Sequence, residues 1–397
     1  MPILLWEVRH CAERLCRTRD RNRATPTWLL IEEIGKLWPL LYFNIIGDSM
    51  PMERRLLDEG EFLALSRFEP QSVATPKSYL LSNGTTVSVF APGIICFEPA
   101  KRLKVNKHIV ISCGIHGNET APIEICDSIV KELLTESLRS AHRVLFLFGN
   151  LPAMDVAERF ISENMNRLFS GAHSQSAGLC NEERRRAKIL EDAVTAFFAE
   201  APAGDSRHHY DLHTAIRESK NEKFAVYPFL HGKPHSRSQL AFLAACGVKT
   251  ILLSESPTTT FSYYSSFHHG AHAFTVELGK VRPFGHNDMS RFADAQFALT
   301  ALLTEEDYAP TVKLEELDIF RVNQVINRQQ DDFVLHFADD LPNFTAFSKG
   351  AVLATESGAT YSAEQDGEAI VFPNANVAIG QRALLTVVPA RLETSDV

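Results

Sequence analysis

Short apolar runs alternate with stretches of helical spacing between about residues 80 and 305. Residues 108–114 read His-Ile-Val-Ile-Ser-Cys-Gly, a β-branched run that is typical of a buried parallel strand. Residues 144–149 and 250–254 have the same character, whereas residues 120–139 place their apolar side chains at helical intervals. The alternation predicts an α/β fold in which a sheet is flanked by helices, in a domain over residues 53–310.

The pattern changes beyond Pro310. Short runs of alternating polarity are separated there by Gly, Asp and Asn, at residues 320–322, 333–337, 351–353 and 369–372. Such runs predict strands joined by tight turns. We therefore expect a small all-β domain over residues 311–397, bordering the mouth of the functional site.

The first 52 residues do not share either pattern. They hold all three tryptophans, and six arginines in the first 23 positions, but also acidic residues that a transit peptide lacks. The apolar stretch 28–46 contains three charged residues and a proline, which argues against a membrane span. We expect an extension translated upstream of a start at Met50 or Met52. The alternative is a partner-binding helix over residues 28–43.

Two predicted strands end beside residues that bind metals. His116 and Glu119 lie in the turn after residues 108–114, and His213 follows a second short run in the sequence Tyr-Asp-Leu-His. The carboxyl ends of parallel strands meet at one edge of an open α/β sheet, where ligands bind. Two nitrogen ligands and one carboxylate match a catalytic Zn²⁺ site, which keeps a fourth position for water.

The alternative to a metal site is a set of unrelated histidines. The chain has fifteen of them, most histidines bind no metal, and a single His-x-x-Glu can occur by chance. The seven cysteines are scattered without a paired metal spacing, which argues against a structural zinc site. Asp211 is a candidate hydrogen-bond partner for His213, but the sequence leaves that pairing open.

Glu277 is a single acidic residue in the apolar run 274–279. Burying an unpaired carboxylate is costly, so such a residue usually has a partner or a chemical role. Facing an activated water, it could accept a proton and return it to a leaving amine. The alternative is a surface carboxylate on the polar face of a strand, which it would share with Thr275.

Four segments together carry a resemblance to a known family. They are Gly-Ile-His-Gly-Asn-Glu-Thr-Ala-Pro-Ile-Glu at 114–124, Asn-Met-Asn-Arg-Leu-Phe at 164–169, Asp-Leu-His-Thr-Ala-Ile-Arg at 211–217 and Val-Glu-Leu-Gly-Lys at 276–280. In this order they resemble the succinylglutamate desuccinylase/aspartoacylase family, and the last two segments resemble its desuccinylase branch. The likeness covers roughly residues 60 to 390. It implies a zinc-carboxypeptidase-like mixed sheet flanked by helices, with a smaller C-terminal all-β domain.

The resemblance also implies a role for individual residues. His116, Glu119 and His213 match the family's ligands for one Zn²⁺ per subunit. Glu277 matches the general base and acid that works with a zinc-activated water. The domain over residues 53–310 would therefore be a zinc hydrolase.

Other family positions concern the substrate. Arg159 matches an arginine that polarises the scissile carbonyl, but the family's neighbouring tyrosine is replaced by Phe160, which leaves no hydroxyl for that role. Asn166 and Arg167 match a pair that binds a substrate carboxylate. From its place four residues beyond a zinc ligand, we expect Arg217 to bind another carboxylate, although an outward-facing arginine is the alternative.

The activity implied is hydrolysis of the amide bond of N-succinyl-L-glutamate to succinate and L-glutamate, the last step of arginine catabolism by arginine succinylation. Two alternatives stay open. One is an aspartoacylase-like deacylase of another N-acyl amino acid. The other is a metal-binding homologue that has lost catalysis.

Charge and composition restrict the partners. The net charge is −9, and no basic stripe with interleaved aromatic residues is present, so we expect a small-molecule substrate and no nucleic acid. A secretory signal and a cysteine framework are both lacking, which favours the cytoplasm without a membrane partner. A homo-oligomer stays open.

Overall fold

The computed structural model describes residues 50–103, 106–392 and 394–395. The predicted extension over residues 1–52, except its last three positions, and the alternative helix over 28–43 lie outside the described residues. Residues 55–397 form one compact unit. The α-helices of the described residues are α1 Met52–Leu57, α2 Phe62–Phe68, α3 Thr120–Leu134, α4 Leu151–Asp155, α5 Glu182–Ala199, α6 Arg237–Ala245, α7 Phe261–His269 and α8 Ala293–Thr304.

The strands fall into two groups, before and after residue 310. The first group is β1 Lys77–Leu80, β2 Thr86–Ala91, β3 Ile94–Glu98, β4 Lys107–Cys113, β5 Arg143–Phe148, β6 Ser206–Ala215, β7 Phe224–Tyr227, β8 His235–Ser236, β9 Thr250–Leu253 and β10 His272–Lys280. The second group is β11 Asp318–Asn327, β12 Val334–Leu335, β13 Thr345–Phe347, β14 Val352–Glu356, β15 Ala359–Ser362, β16 Glu368–Val371, β17 Arg382–Pro389 and β18 Thr394–Ser395.

A 13-stranded mixed sheet organises the molecule. Its order is β1-β2-β3-β5-β4-β6-β10-β7-β9-β11-β17-β16-β13. The strands at its centre are parallel: β4 pairs in parallel with both β5 and β6, and β6 pairs in parallel with β10. Six of the seven residues of β4 are buried, as expected for a strand covered by helices on both faces.

The register of the parallel strands at the centre of the sheet determines which of their last residues lie side by side. Cys113 at the end of β4 lies opposite Leu212 in β6. His213, one residue further along β6, lies opposite Glu277 in β10. The residues that follow β4 therefore meet the last residues of β6 and β10 at one edge of the sheet.

The C-terminal residues are all-β, as predicted. β11 pairs with β9 in parallel and with β17 in antiparallel orientation, so that β11, β17, β16 and β13 extend the large sheet. A separate sheet has the order β12-β14-β15. The predicted fold class, a mixed sheet flanked by helices with a C-terminal all-β part, is confirmed. The domain limits at residues 52 and 310 stay predictions.

Some boundaries differ from the sequence prediction. The helix expected over residues 120–139 ends at Leu134, because Glu136 adopts a φ of 61°. A left-handed residue of this kind ends a helix. Among the described residues, no helix is long and apolar enough to cross a membrane.

Candidate metal centre and active site

The turn between β4 and α3 places His116 and Glu119 beside the end of β6. Gly117 is required in this turn, since a Cβ there would lie 2.2 Å from the carbonyl carbon of Ala153. The Gly117 N–H also donates to the carbonyl oxygen of Arg159, at 3.1 Å. The same turn thus holds two candidate ligands and positions the chain that carries Arg159.

The side chains of His116, Glu119 and His213 converge as predicted from the sequence. The Nδ1 atom of His116 lies 2.8 Å from Glu119 Oε1, and that of His213 lies 2.8 Å from Glu119 Oε2. None of the three residues is more than 3 % exposed. Their ligand atoms all lie within 4.8 Å of one another, so this group could hold a metal ion.

The outer nitrogen of each histidine has a hydrogen-bond acceptor. His116 Nε2 lies 2.9 Å from Asn164 Oδ1, and His213 Nε2 lies 2.9 Å from Asp211 Oδ2. Asn164 Oδ1 also accepts from the Asn166 N–H at 3.1 Å, which fixes the orientation of that amide. His213 Nδ1 is hydrogen-bonded to Glu119 Oε2 at 2.8 Å. A neutral ring with its proton on Nε2 would leave Nδ1 of each histidine available to a metal, the arrangement of metal-binding histidines.

The charges of the group also favour a cation. Burial opposes ionisation of Glu119, but His116, His213 and Arg159 outweigh it and hold its pKa well below the ordinary value. Burial opposes protonation of His213 as well, yet Asp211 and Glu119 raise its pKa well above the ordinary range. Burial and Arg159 lower the pKa of His116 to about 4.

His116 Nδ1 provides a direct test of whether a metal fits. This atom is buried, and its contact with Glu119 does not meet hydrogen-bond geometry, so it has no hydrogen-bond partner in the described part of the chain. A neutral imidazole nitrogen facing an ionised carboxylate is satisfied by a cation between them. The donor set, two imidazole nitrogens and one carboxylate, therefore fits a divalent metal such as zinc.

A buried chain of hydrogen bonds continues behind His213. Ser112 Oγ donates to Asp211 Oδ1 at 2.5 Å and lies 2.8 Å from His209 Nε2. The other nitrogen of His209 lies 2.7 Å from Ser265 Oγ in α7. The sequence interpretation missed this chain, although the period-two spacing of His209, Asp211 and His213 on one face of β6 could have indicated it.

Glu277 lies across from His213 and is 6 % exposed, so it is not on a solvated strand face. Its Oε2 atom is buried and has no hydrogen-bond partner among the described residues. Burial first, and then the negative charge of Glu119, raise the pKa of Glu277 to about 7. A carboxyl group with this pKa gains and loses a proton readily near neutral pH.

Arg159 contacts the same centre from the loop after α4. Its Nη1 donates to Glu119 Oε1 at 2.6 Å, and 29 % of its side chain remains exposed. The neighbouring Phe160 is 38 % exposed. The guanidinium therefore lies at the boundary between the buried carboxylate and the open side of the site.

Asn166 and Arg167 belong to the 3₁₀ turn Met165–Arg167. Asn166 Oδ1 accepts from the Phe261 N–H at 3.3 Å. Arg167 Nη1 donates to the Asn166 carbonyl at 2.9 Å, and no carboxylate among the described residues forms an ion pair with Arg167. Burial, Arg382 and Arg159 lower the pKa of Arg167 well below its ordinary value.

Arg217 lies near the C-terminal strands. Its Nε donates to the Pro373 carbonyl at 3.1 Å and its Nη1 to the Leu341 carbonyl at 3.4 Å. Burial lowers the pKa of this guanidinium. These contacts connect the end of β6 to the C-terminal part, and the expected contact between Arg217 and a substrate carboxylate stays a prediction.

Comparison with known proteins agrees with this geometry. Residues 105–303 match the family model described as the succinylglutamate desuccinylase/aspartoacylase catalytic domain, and residues 315–390 match its barrel-sandwich hybrid domain. A succinylglutamate desuccinylase of Pseudoalteromonas atlantica is 57 % identical over 340 residues, which cover 85 % of this chain and 97 % of the relative. One from Idiomarina loihiensis is 51 % identical over 340 residues, with 85 % and 98 % covered.

Solved structures give the same result. The succinylglutamate desuccinylase of Chromobacterium violaceum is similar with a TM-score of 0.73 at 39 % identity, covering 84 % of this chain and 98 % of that one. The enzyme of Vibrio parahaemolyticus is similar with a TM-score of 0.74 at 35 % identity, covering 83 % and 95 %. The chain belongs to the succinylglutamate desuccinylase/aspartoacylase family.

Proposed function

We propose that this chain hydrolyses the amide bond of N-succinyl-L-glutamate and releases succinate and L-glutamate. The observation that carries the proposal is the buried group of His116, Glu119 and His213 with Glu277 directly across from His213. Its relatives of 47 to 57 % identity are named for this reaction. The reaction would be the last step of arginine breakdown through succinylated intermediates, in the cytoplasm.

Zinc is the metal that we propose for the group, with one ion per chain. His116 and His213 would bind it through Nδ1, and Glu119 through its carboxylate. When bound, zinc acts as a Lewis acid on a carbonyl oxygen and lowers the pKa of a coordinated water to about 7. Asn164 and Asp211 would keep the two imidazole rings in the orientation and tautomer that binding requires.

Glu277 is the proposed proton carrier. Its carboxylate would take a proton from the attacking water and later deliver it to the nitrogen of the departing glutamate. Burial disfavours the ionised form of this carboxyl, which strengthens the carboxylate as a proton acceptor. The reaction needs no covalent bond between the chain and the acyl group.

The arginines would hold the substrate's oxygens. Arg159 faces the metal group and would stabilise the negative charge that develops on the scissile carbonyl oxygen. Asn166 and Arg167 would bind one substrate carboxylate, for which the planar guanidinium fork is suited. Arg217 would serve a second carboxylate only if its guanidinium left the two backbone carbonyls that it now contacts.

We also propose two domains for the chain. Residues 53–310 would form the zinc hydrolase and residues 311–397 the β domain beside the mouth of the site. The substrate is a small molecule, and we propose no nucleic-acid partner. Association into a homo-oligomer is not part of the proposal.

The test is the release of L-glutamate from N-succinyl-L-glutamate by purified protein, before and after zinc is removed with a chelator and restored. N-acetyl-L-aspartate is the comparison substrate. We expect zinc-dependent release from N-succinyl-L-glutamate at a rate well above deacylation of N-acetyl-L-aspartate. The reverse preference would favour an aspartoacylase-like activity, and bound zinc without turnover of either compound would contradict the proposal.

A further inference from the structure

Arg382, the first residue of β17, is a cation without an anionic partner among the described residues. Its Nε is buried and finds no hydrogen-bond partner within residues 50–103, 106–392 and 394–395. The contact of its guanidinium is with the ring of Phe372, at 5.4 Å from the centroid. Arg328 nearby differs, since its guanidinium donates to the carbonyls of Val377 at 2.9 Å and Gln330 at 3.1 Å. Arg382 is partly exposed, but a buried guanidinium nitrogen that lacks an acceptor is costly, so this position calls for an explanation.

Aromatic contacts place Arg382 close to Glu277. The ring of Phe372 lies 5.5 Å from that of Phe224, centroid to centroid. Phe224 in β7 is the residue paired with Glu277 in β10. The Asn374 N–H bonds to the carbonyl of Ala383 at 2.7 Å, which fixes the loop carrying Phe372 against the start of β17. Two aromatic side chains, whose rings are tilted by 44° to one another, therefore connect Arg382 to the strand pair that carries Glu277.

The other charges of the site act on the same guanidinium. Burial and the charge of Arg159 lower the pKa of Arg382 to about 10, whereas Glu277 raises it. Arg382 and Arg159 in turn act on Arg167. Arg159 has a carboxylate partner in Glu119, but no described carboxylate forms an ion pair with Arg167 or Arg382. Two guanidiniums of this kind, both within the electrostatic reach of Arg159, suit a ligand with more than one negative charge.

We propose that Arg382 is a substrate-binding residue supplied by the C-terminal β domain, and that its guanidinium binds a carboxylate of the N-acylated amino acid. The inference rests on the proposed function, because that substrate carries three carboxylates. Arg382 and Arg167 come from different elements, β17 and the turn Met165–Arg167, and we assign them different carboxylates. Each can form the bidentate contact that a guanidinium makes with a carboxylate.

The test combines Arg382→Gln with substrates that each lack one carboxylate. The analogues are N-butanoyl-L-glutamate, N-succinyl-L-norvaline and N-succinyl-4-aminobutanoate. With N-succinyl-L-glutamate, we expect Arg382→Gln to lower kcat/KM by about 10- to 100-fold, chiefly through KM, because a charge-assisted hydrogen bond is lost. With the analogue that lacks the carboxylate bound by Arg382, the same substitution should have almost no effect. For an analogue that is hydrolysed too slowly, its inhibition constant replaces kcat/KM.

Two further variants separate binding from structural effects. Arg382→Lys keeps the charge but not the fork, so its loss should be smaller than that of Arg382→Gln and should follow the same substrate pattern. Arg328→Gln is the matched control, since that arginine contacts backbone carbonyls, and any loss should be equal for all four compounds.

An equal loss for all four compounds with Arg382→Gln, or no loss with N-succinyl-L-glutamate, would overturn the inference. The wild-type protein separates this outcome from failure of the proposed function. If the wild-type protein does not hydrolyse N-succinyl-L-glutamate, the proposed function is wrong. If it does, and Arg382→Gln is affected equally with every compound, only the role of Arg382 is wrong.

Discussion

Replacing Glu277 by glutamine should abolish most of the activity and should make the metal-free protein more stable, relative to wild type, at pH 8 than at pH 5. Glutamine has nearly the same shape as glutamate but cannot carry the proton. Since a positioned general acid or base contributes about 10²- to 10⁴-fold, we expect kcat to fall by at least that amount. His116, Glu119 and His213 are unchanged in this variant, so zinc binding should persist.

The stability gain follows from the pKa of Glu277. Burial raises that pKa from an ordinary value of 4.5 to about 7. Because the folded state prefers the protonated carboxyl, the stabilisation is fully present below pH 4.5 and is lost as the pH rises through 7. A difference of 2.5 pKa units between folded and unfolded states corresponds to about 3 kcal/mol. At pH 8 the wild-type protein should therefore be less stable than at pH 5 by up to this amount from this group alone.

The amide of the glutamine also lacks a partner for one atom, since Glu277 Oε2 has none. That cost is of order 1 to 3 kcal/mol, but it does not change with pH. The informative comparison is therefore made at two pH values. At each of them the free energy of unfolding of wild type is subtracted from that of Glu277→Gln, and the change in this difference between pH 5 and pH 8 is the test. Glu59→Gln, at an exposed position, is the control.

The assay is denaturant unfolding of chelator-treated protein at both pH values, together with kcat on N-succinyl-L-glutamate after zinc is restored. We expect the stability difference between Glu277→Gln and wild type to shift by up to about 3 kcal/mol in favour of the variant at pH 8. A difference that is the same at both pH values would refute the claim that the folded protein disfavours the ionised carboxylate. Retained turnover would remove Glu277 from the mechanism.

Three further predictions concern binding and stability. Arg167→Ala should raise KM by about 10- to 100-fold and change kcat less, because a carboxylate contact holds substrate and transition state alike. Asp211→Asn should weaken zinc binding by about 10- to 100-fold in competition with a chelator, because the acceptor of His213 Nε2 loses its charge. His142 is buried, and its pKa is lowered from 6.5 to about 4. The folded state therefore disfavours the protonated imidazole, and the free energy of unfolding should fall by up to about 3 kcal/mol from this group as the pH falls from 6.5 to 4. His142→Gln should reduce that loss.

Each of these predictions has a contrary outcome. An unchanged KM for Arg167→Ala would place the carboxylate contact elsewhere. Equal zinc affinity in Asp211→Asn and wild type would show that His213 does not depend on that acceptor. His286 is exposed and serves as the control. If His286→Gln reduced the loss of stability at low pH as much as His142→Gln does, burial of His142 would not be the cause of that loss.

The central strands could be predicted because burial on both faces makes a parallel strand a continuous apolar run. β4, β5 and β9 lie within one residue of the runs at 108–114, 144–149 and 250–254. β17 was not predicted, although Arg382–Pro389 is largely apolar. Its existence as part of the large sheet depends on pairing with β11, some sixty residues earlier, and such pairing leaves no local pattern.

The same distinction applies to the residues of the candidate site: those at strand ends could be predicted, and one that depends on long-range strand pairing could not. His116, Glu119 and His213 could be placed together because each lies at or just beyond a strand end, and strand ends of a parallel sheet meet. Arg382 could not be found by this reasoning, because it approaches Glu277 only through the pairing of β17 and the packing of Phe372 on Phe224.

The charges of the proposed site agree with those of the proposed substrate. Glu119 and Asp211, both with lowered pKa values, offset the two charges of a zinc ion. Arg159 contacts Glu119 and is assigned to the scissile carbonyl oxygen, so the guanidiniums of Arg167 and Arg382 remain for the substrate's carboxylates. N-succinyl-L-glutamate supplies a carboxylate for each of them, whereas an N-acylated amino acid with a single carboxylate would leave one guanidinium without an anion. The charge count therefore requires a substrate with at least two carboxylates.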